Sequence, residues 1–312
     1  MAERVEIVEV GPRDGLQNEA VTIPTPVKAA LIRRLVGAGL RRIEATSFVH
    51  PKWIPQLADA VELVNSLDFS EPVRYSALVP NLRGLERALQ TPIREVAVFM
   101  SASESHNRSN INKSIAETFP VLAEVVQEAK KRGLTVRGYV STAFGCPFEG
   151  AVPMANVMLV VEKLVDMGVD EISVGDTIGV ATPNLVRERF RELRRSFPDI
   201  PLAGHFHDTY GMAVANVLAA MEEGIRIFDS AIGGLGGCPY APGASGNLST
   251  EDLVYLLHGM GIETGVDMDR LVEAGQFVQQ HLGKTLPSRV LQAKTSKACQ
   301  VGRTDHPSAH EG

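Results

Sequence analysis

Eight short strand-like runs, strung along one chain, constrain this sequence more than any other feature. They read VEIVEV (5–10), RRIEATSF (41–48), VRYSALV (73–79), EVAVFMS (95–101), TVRGYVST (135–142), EISVGDT (171–177), PLAGHFHD (201–208) and IRIFDSAIGG (225–234). Their starts lie 22 to 40 residues apart, room enough for a crossover helix between parallel strands. The intervals carry helical patterning. In TPVKAALIRRLVGAGL, residues Val27, Leu31, Leu35 and Ala38 fall along one face, and PFEGAVPMANVMLVVEKLVDMG (147–168) reads as another helix. Glycines near 38 and at Gly133, Gly168 and Gly224 stand where these helices should stop. Eight strand–helix repeats in one series predict an α/β fold, a (β/α)8 (TIM) barrel. The rival, an open doubly wound sheet, would hold a dinucleotide on a glycine-rich turn after its first strand. Here that position reads GPRDGLQ, and no G-x-G-x-x-G follows. STEDLVYLLHGMG and DMDRLVEAGQFVQQHLG add a C-terminal helical extension. Residues 1–295 are therefore expected to form one barrel domain, and the polar stretch 296–312 to be disordered.

Composition narrows the partners. No uninterrupted apolar run approaches the ~20 residues that span a bilayer, so no membrane association is expected. The chain opens on MAERVEIVEVGPRDG, a strand entering a loop rather than a signal peptide. Its three cysteines imply no disulfide framework. Both point to a cytoplasmic protein. A formal net charge of −6 with no basic block gives nothing for nucleic acid to bind.

In such a barrel the chemistry sits at the C-terminal ends of the strands, and reactive residues collect there in this sequence. Strand 1 ends in Arg13 and Asp14, and strand 2 carries Glu44. Strand 4 runs into Glu104 and His106, and strand 6 ends in Asp176 and Thr177. Strand 7 carries His205 and His207, and strand 8 leads toward Cys238 and Asn247. Any one of these has an ordinary explanation, since a strand-end aspartate often caps the next helix.

His205 and His207 stand two apart, so on a strand both face one way and Phe206 the other. As core residues, two imidazoles would each need hydrogen-bond partners in an apolar layer. As metal ligands, each needs the ion and one supporting partner. An acid/base pair is the third reading. Asp14 and Asn247 are the best candidates to complete a metal site. Two nitrogens with carboxylate and amide oxygens, and no thiolate, suit Mg²⁺ or Mn²⁺ better than a closed zinc site. Cys238 follows a glycine-rich run, GGLGG, where a thiol is well placed to move a proton. Cys146, in the short loop FGCPFEG, reads as structural.

Taken together, VEVGPRDGLQNE (8–19), IEATSFVHPKW (43–53), RGYVSTAFGCP (137–147), EISVGDTIGV (171–180), GHFHDTYG (204–211) and GLGGCPYAPGASGN (234–247) resemble the hydroxymethylglutaryl-CoA lyases. These belong to the metal-dependent barrel lyases and Claisen-type synthases. The resemblance covers residues 5 to 295, and RDGLQNE and GLGGCPYA separate it from the related synthases. It implies a divalent-metal-dependent lyase that cleaves 3-hydroxy-3-methylglutaryl-CoA to acetyl-CoA and acetoacetate. By the same resemblance the metal ligands are Asp14, His205, His207 and Asn247, and the catalytic residues Arg13, Glu44, Asp176 and Cys238. Arg13, Thr177 and Asn110 would contact the acyl-CoA, and the assembly would be a homodimer. Three stretches depart from the family's pattern: SASESHNRSNINKS in its middle, Gly233–Gly234 before GLGGCPYA, and HFHD in place of HCHD. They leave the reaction class intact but leave open a different branched 3-hydroxyacyl-CoA; a related condensing synthase or aldolase on the same barrel is the rival reading.

Overall fold

Each strand-like run forms one strand: β1 (Glu6–Glu9), β2 (Arg42–Ser47), β3 (Arg74–Leu78), β4 (Glu95–Ser101), β5 (Thr135–Ser141), β6 (Glu171–Asp176), β7 (Leu202–Phe206) and β8 (Ile227–Ser230). The computed structural model describes residues 3–236 and 246–301, with the backbone alone for 297–301. Every strand runs parallel to the next. β8 returns to β1 in the register Glu6↔Ile227 through Glu9↔Ser230, which closes the barrel. Helices Thr25–Gly37, Ala60–Asn65, Leu82–Ala88, Ile115–Lys131, Met154–Met167, Pro183–Ser196, Ala213–Glu222 and Thr250–Gly259 follow the eight strands in turn. Glu104–Ile111 is an extra helix in the loop after β4, and Met268–Leu282 and Arg289–Val301 make the C-terminal extension.

The apolar stripes do what their spacing implies. Leu31, Leu35 and Ala38 are buried and Val27 packs against them, joining outward strand residues such as Ile43, Val98, Ile172 and Phe228 in one continuous core between strands and helices. Gly168 ends its helix in the left-handed region at φ 89°, where a side chain would be strained. Among the described residues no helix is long and apolar enough to cross a membrane.

Several boundaries differ from the sequence reading, each for a local reason. β7 stops at Phe206, because His207 pairs across to Asn247 instead of continuing the barrel ladder. β8 stops at Ser230, short of Gly233 and Gly234, whose φ of 65° and 72° no strand accommodates. The helix expected from 147 begins at Met154, since Cys146 and Gly150 close a tight turn through reciprocal backbone bonds of 2.8 and 2.9 Å. The last helix runs to Val301, past residue 295.

The barrel interior is not the usual stack of branched apolar side chains. Leu78, Ala97 and Tyr139 form a small apolar cluster there, with Phe99 against it. The rest is charge. Arg42 pairs with Glu95 and Glu171, and Arg137 pairs with Glu171 and Asp229. A lone charge at such depth would cost several kcal/mol, so these groups occur only as partners.

Candidate active site

At the C-terminal end of β1 the chain makes a single π-helical turn, Gly11–Gly15, with the amides of Arg13, Asp14 and Gly15 all bonded to the Val10 carbonyl. Such turns recur at functional sites. Glycine is required at position 11, because a Cβ there would fall 2.5 Å from Glu9 Oε1. The turn presents Arg13 and Asp14 to the mouth of the barrel. Arg13 Nε donates to Glu44 Oε2 at 2.6 Å, and its Nη1 donates to Asp14 Oδ1 at 2.5 Å. The guanidinium also lies 5.7 Å from the centre of the Tyr139 ring.

His205 and His207 enter from β7 and the residue just beyond it, their ring centres 5.3 Å apart. Phe206 points the other way and packs on Phe144, Phe190 and Phe228. HFHD in place of HCHD therefore alters the outer core and not the site. Asn247 is brought beside His207 by two bonds along the chain: Leu248 N–H to the Phe206 carbonyl at 2.9 Å and Asp208 N–H to the Gly246 carbonyl at 3.0 Å. Gly236 and Gly246, on either side of 237–245, approach so closely that a Cβ on Gly246 would fall 1.4 Å from the Gly236 oxygen. Cys238 lies outside the described residues.

The result is a compact set of donors. Asp14, His205 and His207 offer ligand atoms all within 4.8 Å of one another. Asn247 spends both amide hydrogens, on Asp14 Oδ2 at 2.8 Å and on the Leu235 carbonyl at 3.0 Å. Its Oδ1 is left buried with no protein partner, and so is His207 Nδ1. Buried polar atoms are rarely left unpaired without a reason. Here the orphaned nitrogen and oxygen stand beside a carboxylate and a second imidazole, a donor set that fits a divalent cation such as Mg²⁺ or Mn²⁺.

Electrostatics agree with that use. Burial alone would raise the Asp14 carboxyl, but Arg13 and the two imidazoles outweigh it and hold the group below the ordinary carboxylate range. Burial, reinforced by His205, takes His207 down to about 4, so its ring is neutral and able to ligate. His205 is also pushed down by burial, but the Asp229 carboxylate, 3.1 Å from Nδ1, more than offsets this. Glu44 is fully buried and raised by burial against the pull of Arg13, and its Oε1 has no partner.

Asp176, at the end of β6, accepts backbone N–H bonds from Val180 at 3.0 Å and Ala181 at 3.1 Å, one on each oxygen. Burial nevertheless raises it to about 7, with the His205 charge pulling the other way. Thr177 Oγ1 accepts from the Thr142 amide at 2.7 Å. Thr142 itself holds φ 56°, a strained value for a β-branched residue of the sort found near functional sites. Asn110 is exposed on the helix Glu104–Ile111, apart from the donor cluster. His106, buried on the same helix, is 2.5 Å from Ser101 Oγ. Cys146 is buried, its sulfur 2.9 Å from Ser103 Oγ and facing the amides of Phe148 and Glu149. Asp229 and Arg137 had no place among the sequence candidates. Their only signal was an ionisable residue inside a strand whose neighbours are all apolar or small.

Known proteins resemble this chain in sequence and fold. The model of the HMGL-like family matches residues 4–278. Hydroxymethylglutaryl-CoA lyase of Bacillus subtilis is 52% identical over 290 residues, covering 93% of this chain and 97% of that protein. The mitochondrial hydroxymethylglutaryl-CoA lyase of Rattus norvegicus is 51% identical over 293 residues, covering 94% and 90%. The crystal structure of the Bacillus subtilis HMG-CoA lyase superposes with a TM-score of 0.92 over 94% of this chain and 98% of that one, at 52% identity. An HMG-CoA lyase from Acinetobacter baumannii, solved with coenzyme A and 3-methylmalate, superposes with a TM-score of 0.87 at 38% identity, over 99% and 98%. The chain belongs to the HMGL-like family, and within that family it is a member of the hydroxymethylglutaryl-CoA lyases.

Proposed function

We propose that this protein is a divalent-cation-dependent carbon–carbon lyase that cleaves (S)-3-hydroxy-3-methylglutaryl-CoA to acetyl-CoA and acetoacetate. The observation that carries the reading is the donor cluster of Asp14, His205 and His207, with Arg13 bonded to one of its members, at the mouth of a barrel so similar to those lyases. Asp14, His205, His207 and Asn247 would hold Mg²⁺ or Mn²⁺. A cation there supplies Lewis acidity toward the substrate's hydroxyl and carboxylate oxygens.

The chain's own residues supply the rest. The C3 hydroxyl must lose a proton as the C3 carbonyl forms and the C2–C3 bond breaks. Asp176, raised by burial to about 7, can take that proton on a carboxylate oxygen at neutral pH, because each oxygen keeps a lone pair beyond the one its loop amide uses. A ligating imidazole has no lone pair to spare. The bonding electrons pass to the thioester as an enolate, and Arg13 meets the charge that builds on its oxygen. Glu44 holds Arg13 in place through the 2.6 Å bond to Nε. The enolate carbon then needs a proton, and Cys238 is assigned that step from the sequence. Thr177 and Asn110 would line the path of the acyl-CoA.

The test is an assay of purified protein across several 3-hydroxy-3-alkyl acyl-CoAs, after chelation and after Mg²⁺ or Mn²⁺ is returned. Acetoacetate should form from the 3-methylglutaryl thioester only when metal is restored. Turnover of a different acyl group in preference would replace the substrate, and full activity in chelator would remove the cation from the reaction.

A further inference from the structure

Beneath the donor cluster a column of buried polar groups runs down the barrel axis, and its upper end touches His205. Arg137 Nη2 donates to Asp229 Oδ1 at 2.7 Å, and Ser173 Oγ donates to Asp229 Oδ2 at 2.8 Å. The same Oδ2 lies 3.1 Å from His205 Nδ1. Below, Arg137 Nε donates to Glu171 Oε1 at 2.6 Å, and Arg42 donates to both Glu171 oxygens at 2.9 and 3.1 Å. Asp229, Arg137 and Ser173 are all almost fully buried.

Hydrogen-bond accounting fixes the direction of the last contact. A guanidinium only donates, and the Ser173 hydroxyl spends its hydrogen on Asp229. Facing two donors, Asp229 is held as an acceptor on both oxygens. The contact with His205 therefore requires a hydrogen on Nδ1, which in the neutral ring leaves the lone pair on Nε2. We propose that Asp229 is a positioning residue: it fixes His205 as the Nδ1–H tautomer and turns Nε2 toward Asp14 and His207, while Arg137 and Ser173 keep Asp229 in place. This rests on the reading that the cluster holds a cation.

The substitution Asp229→Asn is informative because an amide cannot accept at both ends. With its oxygen toward Arg137, it presents N–H to His205 and forces the hydrogen onto Nε2, the atom the cation needs. Mn²⁺ binding, followed by the electron paramagnetic resonance of free Mn²⁺, should weaken 10–100-fold, the usual effect of losing a partner that orients a metal-bound histidine. Nitrogen NMR of the metal-free, ¹⁵N-histidine-labelled protein should move the His205 hydrogen from Nδ1 to Nε2. Ser173→Ala, a milder change that leaves the ion pair, should weaken Mn²⁺ binding several-fold and keep the tautomer.

Unchanged Mn²⁺ affinity in Asp229→Asn, or a wild-type His205 that carries its hydrogen on Nε2, would overturn the assignment. A wild-type protein that binds no Mn²⁺ would instead overturn the cation site. The NMR measurement, made without metal, would still decide the role of Asp229.

Discussion

Replacing Glu251 with glutamine should change how stability depends on pH. Glu251 has no exposed surface, and both its oxygens face the Gly233 amide at 3.0 and 2.8 Å. Oε2 also takes the Ser249 hydroxyl at 2.8 Å. Burial raises its pKa to about 8; the hydrogen bonds oppose this and the nearby Glu9 adds to it. In the unfolded chain the same group titrates near 4.5. Between those two values the folded protein holds a proton that the unfolded chain has lost. The contribution is therefore fully present below pH 4.5 and disappears as pH rises through 8. The slope is about 1.4 kcal/mol per pH unit and flattens near pH 8, so about 2 kcal/mol of stability is lost from this one group between pH 6 and pH 8, and about 3 kcal/mol by pH 9. Glutamine keeps an oxygen for the Gly233 amide and cannot ionise. Urea unfolding of metal-free protein, followed by circular dichroism at pH 6 and pH 9, should show Glu251→Gln gaining about 3 kcal/mol on the wild type over that interval. Parallel pH profiles for the two proteins would mean that Glu251 ionises freely in the folded state, and the argument from burial would fail.

Three changes at the site separate the proposed roles. Arg13→Met should lower kcat by about 10²–10³, the usual loss when a fixed donor to a developing oxyanion is removed; an unaltered kcat would take Arg13 out of the charge-stabilising role. His205→Ala should leave dialysed protein depleted of metal by elemental analysis, whereas full occupancy would strike His205 from the ligands. Cys238→Ala should keep metal and substrate binding while kcat falls further than KM rises, and undiminished turnover would end its assignment as the proton donor.

What was legible in the sequence is what depends on neighbours along the chain. The two-residue spacing of His205 and His207 put both rings on one side and Phe206 on the other, as in the structure. Helical spacing was enough to bury Leu31 and Leu35. The π-helical turn at Gly11–Gly15 has no periodicity to read, and GPRDG announced only a loop. Asp176 shows the opposite limit. Its place at a strand end left both capping and catalysis open, and its two oxygens accept from the amides of Val180 and Ala181 in the loop that follows. Position along a strand tells which residues reach the mouth of the barrel, but not which of their atoms are already taken.

Asp229 was beyond sequence reasoning for a stronger reason. Its partners come from β5, β6 and β7, with Arg137 separated from it by 92 residues, and Arg42 meets Glu171 across 129. Only His205 lies on a strand paired with that of Asp229; the Arg137, Ser173 and Arg42–Glu171 pairings join strands that are not neighbours and form as the barrel closes. Before closure, each would be a charge exposed to water; after it, removing one member strands the next, at a cost of about 3–5 kcal/mol. Closure thus secures the alignment of His205, because it brings Arg137 across the barrel to hold the carboxylate that sets the imidazole. An apolar interior of the same volume could be as stable or more so, but it would leave the His205 ring free to turn. The charged column is better understood as a device that transmits the registration of five strands to one nitrogen atom.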